Sequence, residues 1–355
     1  MPLVANSTLP TFSRLQEEGE TILSDEKARH QDIRELHIGL LNMMPDAAIT
    51  ATERQFFRLI GESNQIAQFY VHPFTLPEIQ RDEEAQAHIN KYYESFETIK
   101  KNGLDALIIT GANVSQPELS LEPFWEPLIN VIDWAYDNVP STLCSCLATH
   151  AVMQFRYKQK RQRMPEKRWG VFQHRVVDRT HPLVNGVNTR FDVPHSRYNN
   201  ISREQFEAAG LRVLVESEEA GVHLAVSEDK FRIVFFQGHP EYDMISLLKE
   251  YKREVLRFFN NERNDYPPFP ENYFQIKSRA ILNEYKEQVI KNKADKKNFP
   301  RMPEALITNM LDNTWHDTAE AVLNNWIGKV YQVTASDRKG MFMDSVDWSN
   351  PLNLD

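Results

Sequence analysis

The stretch Pro140-Ser-Thr-Leu-Cys-Ser-Cys146-Leu-Ala-Thr-His150 decides how this chain folds. Residues 140–146 have the length of a strand, and residues 147–157 place Ala148, Ala151, Val152 and Phe155 on one side of a helix. A strand therefore runs straight into a helix at Cys146. Working outward, the same alternation recurs. Residues 36–44 form an apolar strand stopped by Pro45-Asp46, and residues 50–59 carry Phe56, Phe57 and Leu59 at helical spacing. Residues 66–71 read as a strand, 88–100 as a helix and 104–111 as a buried strand stopped by Gly111. Residues 124–136 read as a helix with Trp125, Leu128, Ile129 and Ile132 on one side. Such alternation implies βαβ units and a parallel sheet covered on both faces. The expected fold class is α/β, a three-layer sandwich around a mostly parallel sheet.

Beyond residue 170 the texture changes. Residues 170–177, 211–215, 222–226 and 231–236 are strand-like, the last three joined by short turns. Residues 244–259 form a long helix with Leu247, Leu248, Tyr251, Val255 and Phe258 inward. Residues 260–304, rich in Asn, Lys, Glu and Pro, suggest a charged, solvated peripheral region around one helix at 273–293, and 315–333 is a closing helix. Residues 1–35 read as a polar N-terminal extension without the apolar core of a secretory signal, and 36–355 as a single domain.

The 355 residues carry a formal net charge of −9, with 41% hydrophobic and 26% charged residues, an ordinary globular balance. The negative charge disfavours non-specific attraction to nucleic acid or an anionic membrane, and no run of about 18 apolar residues is present to span one. Two cysteines two positions apart support neither a disulfide framework nor a four-cysteine zinc site. The expectation is a cytoplasmic protein with no nucleic-acid or membrane partner.

Parallel sheets put chemistry at the carboxyl ends of their strands. Cys146 stands there, at the N-terminus of a helix whose dipole favours a thiolate. Cys144, inside the strand, reads as a small buried side chain, and burial is also the plain alternative for Cys146. A thiolate nucleophile needs a base, and the base needs a group that fixes its tautomer. Gly238-His-Pro-Glu241 follows the strand at 231–236, so His239 also falls at a carboxyl end, with Glu241 placed to orient it. The bland reading of that stretch is a loop with incidental polar residues. His150 competes as base: it lies one helical turn beyond Cys146, but no nearby carboxylate would orient it.

Several phrases in one order resemble the homoserine O-acyltransferases of the homoserine transsuccinylase type. They are Leu41-Asn-Met-Met-Pro45, Thr110-Gly-Ala112, Pro194-His-Ser-Arg-Tyr198, Gly238-His-Pro-Glu-Tyr-Asp243 and Asn325-Trp-Ile-Gly-Lys-Val-Tyr-Gln332, so the resemblance runs from about residue 36 to the C-terminus. It implies a fold similar to class I glutamine amidotransferases. It also implies acyl transfer from an acyl-CoA to the hydroxyl of L-homoserine, opening methionine synthesis. Its roles fall on Cys146 as acyl-thioester nucleophile, His239 as general base and Glu241 as its support. Lys167, Ser196 and Arg253 match its substrate-binding residues, and Ser115 matches the position that selects the acyl donor. A homodimer, no metal and no cofactor are implied, acyl-CoA being a substrate. Read alone, Arg253 is a solvated helix charge and Lys167 a basic residue in a loop at 158–168; an arginine suits an amino-acid carboxylate by bidentate pairing. The chain departs from many relatives at Asp46-Ala47-Ala48, where they carry a lysine pair.

In the resembling family, glutamate at the donor-selecting position accompanies acetyl-CoA and glycine accompanies succinyl-CoA. Glutamate sets a like charge against the succinyl carboxylate. Ser115 is small and uncharged, with a hydroxyl to offer that carboxylate, so the expected donor is succinyl-CoA, with acetyl-CoA second. The expected route is a cysteine acyl-enzyme, its oxyanion held by amides of Leu147 and of the Gly111-Ala112 turn. Two other classes share part of this pattern. A glutamine amidotransferase or related cysteine hydrolase usually shows Gly-x-Cys-x-Gly, whereas Cys144 and Ala148 flank Cys146 here. A non-catalytic α/β binding module would leave Cys146 without enhanced reactivity toward alkylation.

Overall fold

The computed structural model describes residues 3–31, 33–63, 67–338 and 340–354. Among them, the strands in chain order are β1 (Leu3–Ala5), β2 (Ile22–Ser24), β3 (Glu35–Leu41), β4 (Gln68–Phe74), β5 (Ala106–Ile109) and β6 (Ser141–Ser145). They continue with β7 (Gln162–Val176), β8 (Arg190–Asn200), β9 (Arg212–Ser217), β10 (Gly221–Val226) and β11 (Ile233–Phe236). One sheet results, in the order β2-β1-β4-β3-β5-β6-β11-β10-β9-β7-β8. From β2 to β11 neighbours run parallel. From β11 to β8 they run antiparallel. The protein is thus α/β with a mostly parallel sheet.

The central strand β5 shows why three layers form. Ala106 and Ile108 point into one core with Phe56, Phe57 and Trp326, while Leu107 and Ile109 point into the other with Leu128, Ile132 and Val152. Each fully buried leucine or isoleucine contributes about 1.5–3 kcal/mol over exposure. A strand buried on both faces reads as a continuous apolar run, the pattern seen at 104–111.

Three regions differ from their sequence expectations. The N-terminal stretch is woven into the sheet: β1 pairs with β2 along its length and with Phe69 of β4 at Leu3. Its polar composition hides a small apolar face, Leu3, Leu9, Phe12 and Leu15, buried in the same core as Phe57. The basic stretch 158–168 is largely strand rather than loop, because β7 starts at Gln162 and pairs with β8, with an irregularity between Arg163 and Arg168. Residues 260–304 are mostly exposed, as their composition suggests, but one face of them is packed. Around the helix Ile276–Ala294, the side chains of Tyr273, Phe274, Leu282 and Tyr285 build a third core with Trp169 and Tyr251. Glu271 laces this region onto β7: its amide donates to Trp169 O at 2.8 Å, and Val171 N donates to its carbonyl at 2.9 Å. Only a glycine at 170 permits that approach, since a Cβ there would collide with the Glu271 backbone.

Smaller differences are local. The helix expected at 88–100 is two, Glu83–Tyr92 and Phe96–Asn102, because Ser95 caps the second by accepting from Thr98 N at 3.1 Å. Ile66, the expected start of the second strand, lies outside the described residues.

Burial leaves a signature in the histidines. His37, His150, His174, His181, His195 and His223 are buried. Burial, the leading cause throughout, lowers His37 and His150 to about 3, His174 and His181 to about 4, and holds His195 and His223 well below the ordinary value. Such a group stabilises the fold above its unfolded pKa, and that contribution is lost as pH falls toward the folded value. Glu62, pushed up to about 7 by burial and by Glu20, acts in the opposite direction as a single group. The melting temperature is expected to hold down to about pH 6.5 and then drop as the pH falls further, because each histidine must be charged on unfolding but stays neutral when folded. A profile flat across that window would contradict this account of the buried histidines.

Candidate active site

Because β6 and β11 are adjacent and parallel, with Ser145 opposite Phe236, the residues beyond their carboxyl ends emerge side by side. Those residues are Cys146 and Gly238-His239. Cys146 takes φ 51° and ψ −103°, a conformation that costs a non-glycine residue about 1–3 kcal/mol and throws its side chain out of the strand-to-helix turn. The turn is held by Cys146 N donating to Phe236 O at 2.7 Å, and by Thr149 Oγ1 donating to Phe236 O and Cys144 O at 2.9 Å each. Cys144 faces the Leu128–Val152 core, and burial pushes its thiol far up. Cys146 is partly exposed.

His239 Nδ1 lies 2.8 Å from Glu241 Oε1 and donates to it, leaving Nε2 for the Cys146 sulfur, its hydrogen-bond partner. Burial alone favours the neutral ring. The Glu241 carboxylate and the Cys146 thiolate outweigh it and hold the imidazole pKa well above the ordinary histidine value. The imidazole is thus held cationic at hydrogen-bonding distance from the Cys146 sulfur. The loop that carries the base is clamped at both ends. His239 N donates to Pro194 O at 2.8 Å, and Gly238 lies so close to β8 that a Cβ would meet Val193 and His195. Asp243 pairs with Arg54 and with Arg58, the latter at 2.6 Å, on the helix Ile49–Ser63. His150 faces elsewhere: its Nε2 is 3.2 Å from Gln237 Oε1, and burial and the Arg197 charge hold it neutral.

A second cluster adjoins the base. Glu250, nearly buried, accepts from Ser196 Oγ at 2.7 Å, from Tyr242 OH at 2.8 Å and from Lys167 Nζ at 3.2 Å. Burial pushes the carboxyl up, but Lys167, these hydroxyls and His239 outweigh it and hold the pKa below the usual range. Tyr242 connects the two clusters, its ring stacked on His239 at 4.3 Å. The structure thus brings Lys167 and Ser196 together through a residue that sequence reasoning passed over. The available signal was a glutamate between Leu248 and Tyr251 on the inward side of an amphipathic helix. Arg253, one turn beyond Glu250, is not drawn into the cluster; its side chain is 51% exposed and nearest to Glu254.

On the other side of Cys146, Gly111 packs against it: a Cβ on Gly111 would lie 3.7 Å from Cys146 Cβ. Beyond it, Ser115 N and Gln116 N donate to Glu122 Oε1 at 2.6 Å each, and the Ser115 hydroxyl donates to Glu122 Oε2 at 3.2 Å. The hydroxyl expected to greet a substrate carboxylate is already engaged. Asp46, in the segment that departs from relatives, accepts from Asp82 N at 2.8 Å and from Arg81 at 3.1 Å. Among the described residues no group of three or more His, Cys, Asp or Glu is placed to hold a metal ion, and no helix is long and apolar enough to cross a membrane.

The model of the family described as HTS: Homoserine O-succinyltransferase matches residues 2–336. Proteins named homoserine O-succinyltransferase are similar to the chain over nearly its whole length. That of Nitrosococcus oceani is 70% identical, covering 100% of this chain and 99% of its own, and that of Allochromatium vinosum is 69% identical at the same coverage. That of Cardiobacterium hominis is 48% identical, covering 99% of each. Among solved structures, a glutamine amidotransferase from Thermotoga maritima is 12% identical with a TM-score of 0.43, covering 85% of this chain and 99% of its own. One from Methylobacillus flagellatus is 12% identical with a TM-score of 0.44, covering 84% and 95%.

Alkylation at neutral pH is expected to label Cys146 and spare Cys144. His239→Ala should slow that labelling by about tenfold or more, since it removes the cationic imidazole hydrogen-bonded to the sulfur, whereas His150→Ala should leave it nearly unchanged. Equal labelling of both cysteines, or the opposite order of the two histidines, would contradict the geometry.

Proposed function

Because the chain belongs to the homoserine O-succinyltransferase family, we propose that it carries a succinyl group from succinyl-CoA to L-homoserine on Cys146, at the entry to methionine synthesis in the cytoplasm. The observation that supports this most is the hydrogen-bonded Cys146–His239–Glu241 arrangement at two neighbouring strand ends, with a polar cluster suited to a small amino acid beside it. Thiolate Cys146 attacks the thioester carbonyl of succinyl-CoA. The carbon–sulfur bond to CoA breaks, and His239 gives its proton to the departing CoA sulfur. Neutral His239 then takes the proton of the homoserine hydroxyl as that oxygen attacks the acyl-enzyme. Cys146 leaves as thiolate, and the pair returns to its resting state with atoms and charge balanced. Glu241 holds the tautomer that presents Nε2 throughout.

The negative oxygen formed in each half-reaction needs amide donors. Leu147 N is suited to this as the first amide of its helix, which has no intrahelical acceptor, and the Gly111-Ala112 turn lies against the same sulfur. Homoserine is small and zwitterionic, so it needs both signs of charge near His239. Glu250 matches its ammonium and Lys167 its carboxylate, with Ser196 holding Glu250 in place and Arg253 able to swing in from the next helical turn. Lys160 and Arg163, which line the cavity beside the Ser115 loop, suit the phosphates of CoA.

Initial rates with both substrates varied should give parallel reciprocal plots, and succinyl-CoA should be a better donor than acetyl-CoA. Glu250→Gln should raise KM for homoserine by about tenfold or more, with the rate of CoA release in the absence of homoserine nearly unchanged. Intersecting plots would contradict the acyl-enzyme route. Loss of CoA release in Glu250→Gln would contradict the assignment of that residue to the second substrate.

A further inference from the structure

The Ser115 loop borders a cavity of about 540 Å³ whose lining includes Gln154, Lys160, Arg161, Arg163 and Asn199. Three cations line one cavity, and two are occupied. Lys160 is paired with Glu118 at 2.9 Å, and Arg163 lies over the Tyr198 ring at 5.0 Å. Arg161 is half-buried and, among the described residues, makes no hydrogen bond or ion pair. Its surroundings are nonetheless specific: it lines the same cavity as Ser115, and the charges of Glu122, Cys146 and Glu118 all act on it, so both the donor-selecting loop and the nucleophile are within electrostatic reach. Glu122 does not neutralise it at contact distance, because that carboxylate is spent on Ser115 and Gln116.

We propose that Arg161 is the residue that recognises the free carboxylate of the succinyl group. The reading rests on succinyl-CoA being the donor. Two methylenes separate the thioester carbonyl of a succinyl group from its carboxylate, so the charge sits roughly 4 Å beyond the reacting carbon. A receptor for it must lie near Cys146 without pairing to the sulfur, must be cationic, and must hold its donors unspent. Arg161 meets each requirement, and its planar fork matches a carboxylate with two parallel hydrogen bonds. Ser115 cannot serve, since its hydroxyl proton goes to Glu122. Its part is to keep that loop small and uncharged, leaving the path between Cys146 and the guanidinium open. Acetyl-CoA has no carboxylate and gains nothing from Arg161.

Arg161→Leu and Arg161→Lys separate this role from others when kcat/KM is measured with succinyl-CoA and with acetyl-CoA. In Arg161→Leu, succinyl transfer should fall by about thirtyfold or more, while acetyl transfer stays within about threefold. Arg161→Lys should recover part of the succinyl activity, and the melting temperatures of both variants should match the parent. An equal loss with both donors would overturn the proposal, because it would assign Arg161 to CoA itself or to the fold. No loss with succinyl-CoA would overturn it as well. If the unaltered protein prefers acetyl-CoA, the donor reading fails first and the role of Arg161 falls with it.

Discussion

The parallel pairing of β6 with β11 is the constraint on which the site depends. It sets Ser145 against Phe236, so that the chain leaves both strands at one level with Cys146 and His239 facing each other. Everything else near the nucleophile protects that register. Thr149 ties the helix start back to both strand ends, Pro194 takes the His239 amide, and Asp243 fastens the far side of the loop to Arg54 and Arg58. The positive φ of Cys146 is a strained conformation that these contacts make affordable, and it leaves a partly exposed thiol beside a buried imidazole.

Charge is distributed around the sulfur with the same economy. His239 supplies a cation at hydrogen-bonding distance, and Glu241 keeps it cationic. Arg197, a buried residue of β8, donates to Asn199 O at 2.6 Å, Asn200 Oδ1 at 2.8 Å and His195 Nδ1 at 3.2 Å, with no carboxylate partner among the described residues. Its charge and that of Arg161 also act on Cys146. A buried cation without a carboxylate is costly. Here the cost is offset by the neutral acceptors around the guanidinium. In the proposed function the two substrates divide the space: cation-lined cavity on the Ser115 side for the acyl donor, Glu250 cluster on the His239 side for the amino acid.

Much of this was legible in the sequence, and the parts that were not have physical reasons. Cys146 and His239 could be found because strand ends are marked by where apolar runs stop, and because parallel sheets place their chemistry there. Lys167 and Ser196 followed from resemblance alone. Their meeting point, Glu250, was hidden because a helix places residues three and four apart on one face, and a single glutamate among charged neighbours looks solvated. The strand β8 was hidden by Pro194, Arg190 and Arg197, which lower the apparent strand pattern although the pairing with β7 is continuous through Trp169 and Ser196. The third core escaped notice because charge dominates the composition of 260–304, while its stability comes from a few aromatic side chains spaced along it. The N-terminal strands are three residues each, too short to show a period.

The central claim is that the acyl group rests on Cys146 between the two substrates. Intact mass spectrometry of the protein mixed with succinyl-CoA alone, followed by peptide mapping, measures this directly. The account predicts a gain of one succinyl group, located on Cys146, with release of an equal amount of CoA, and reversal of the gain when L-homoserine is added. A protein that transfers succinyl to homoserine without ever carrying the group, or that carries it on another residue, would contradict it.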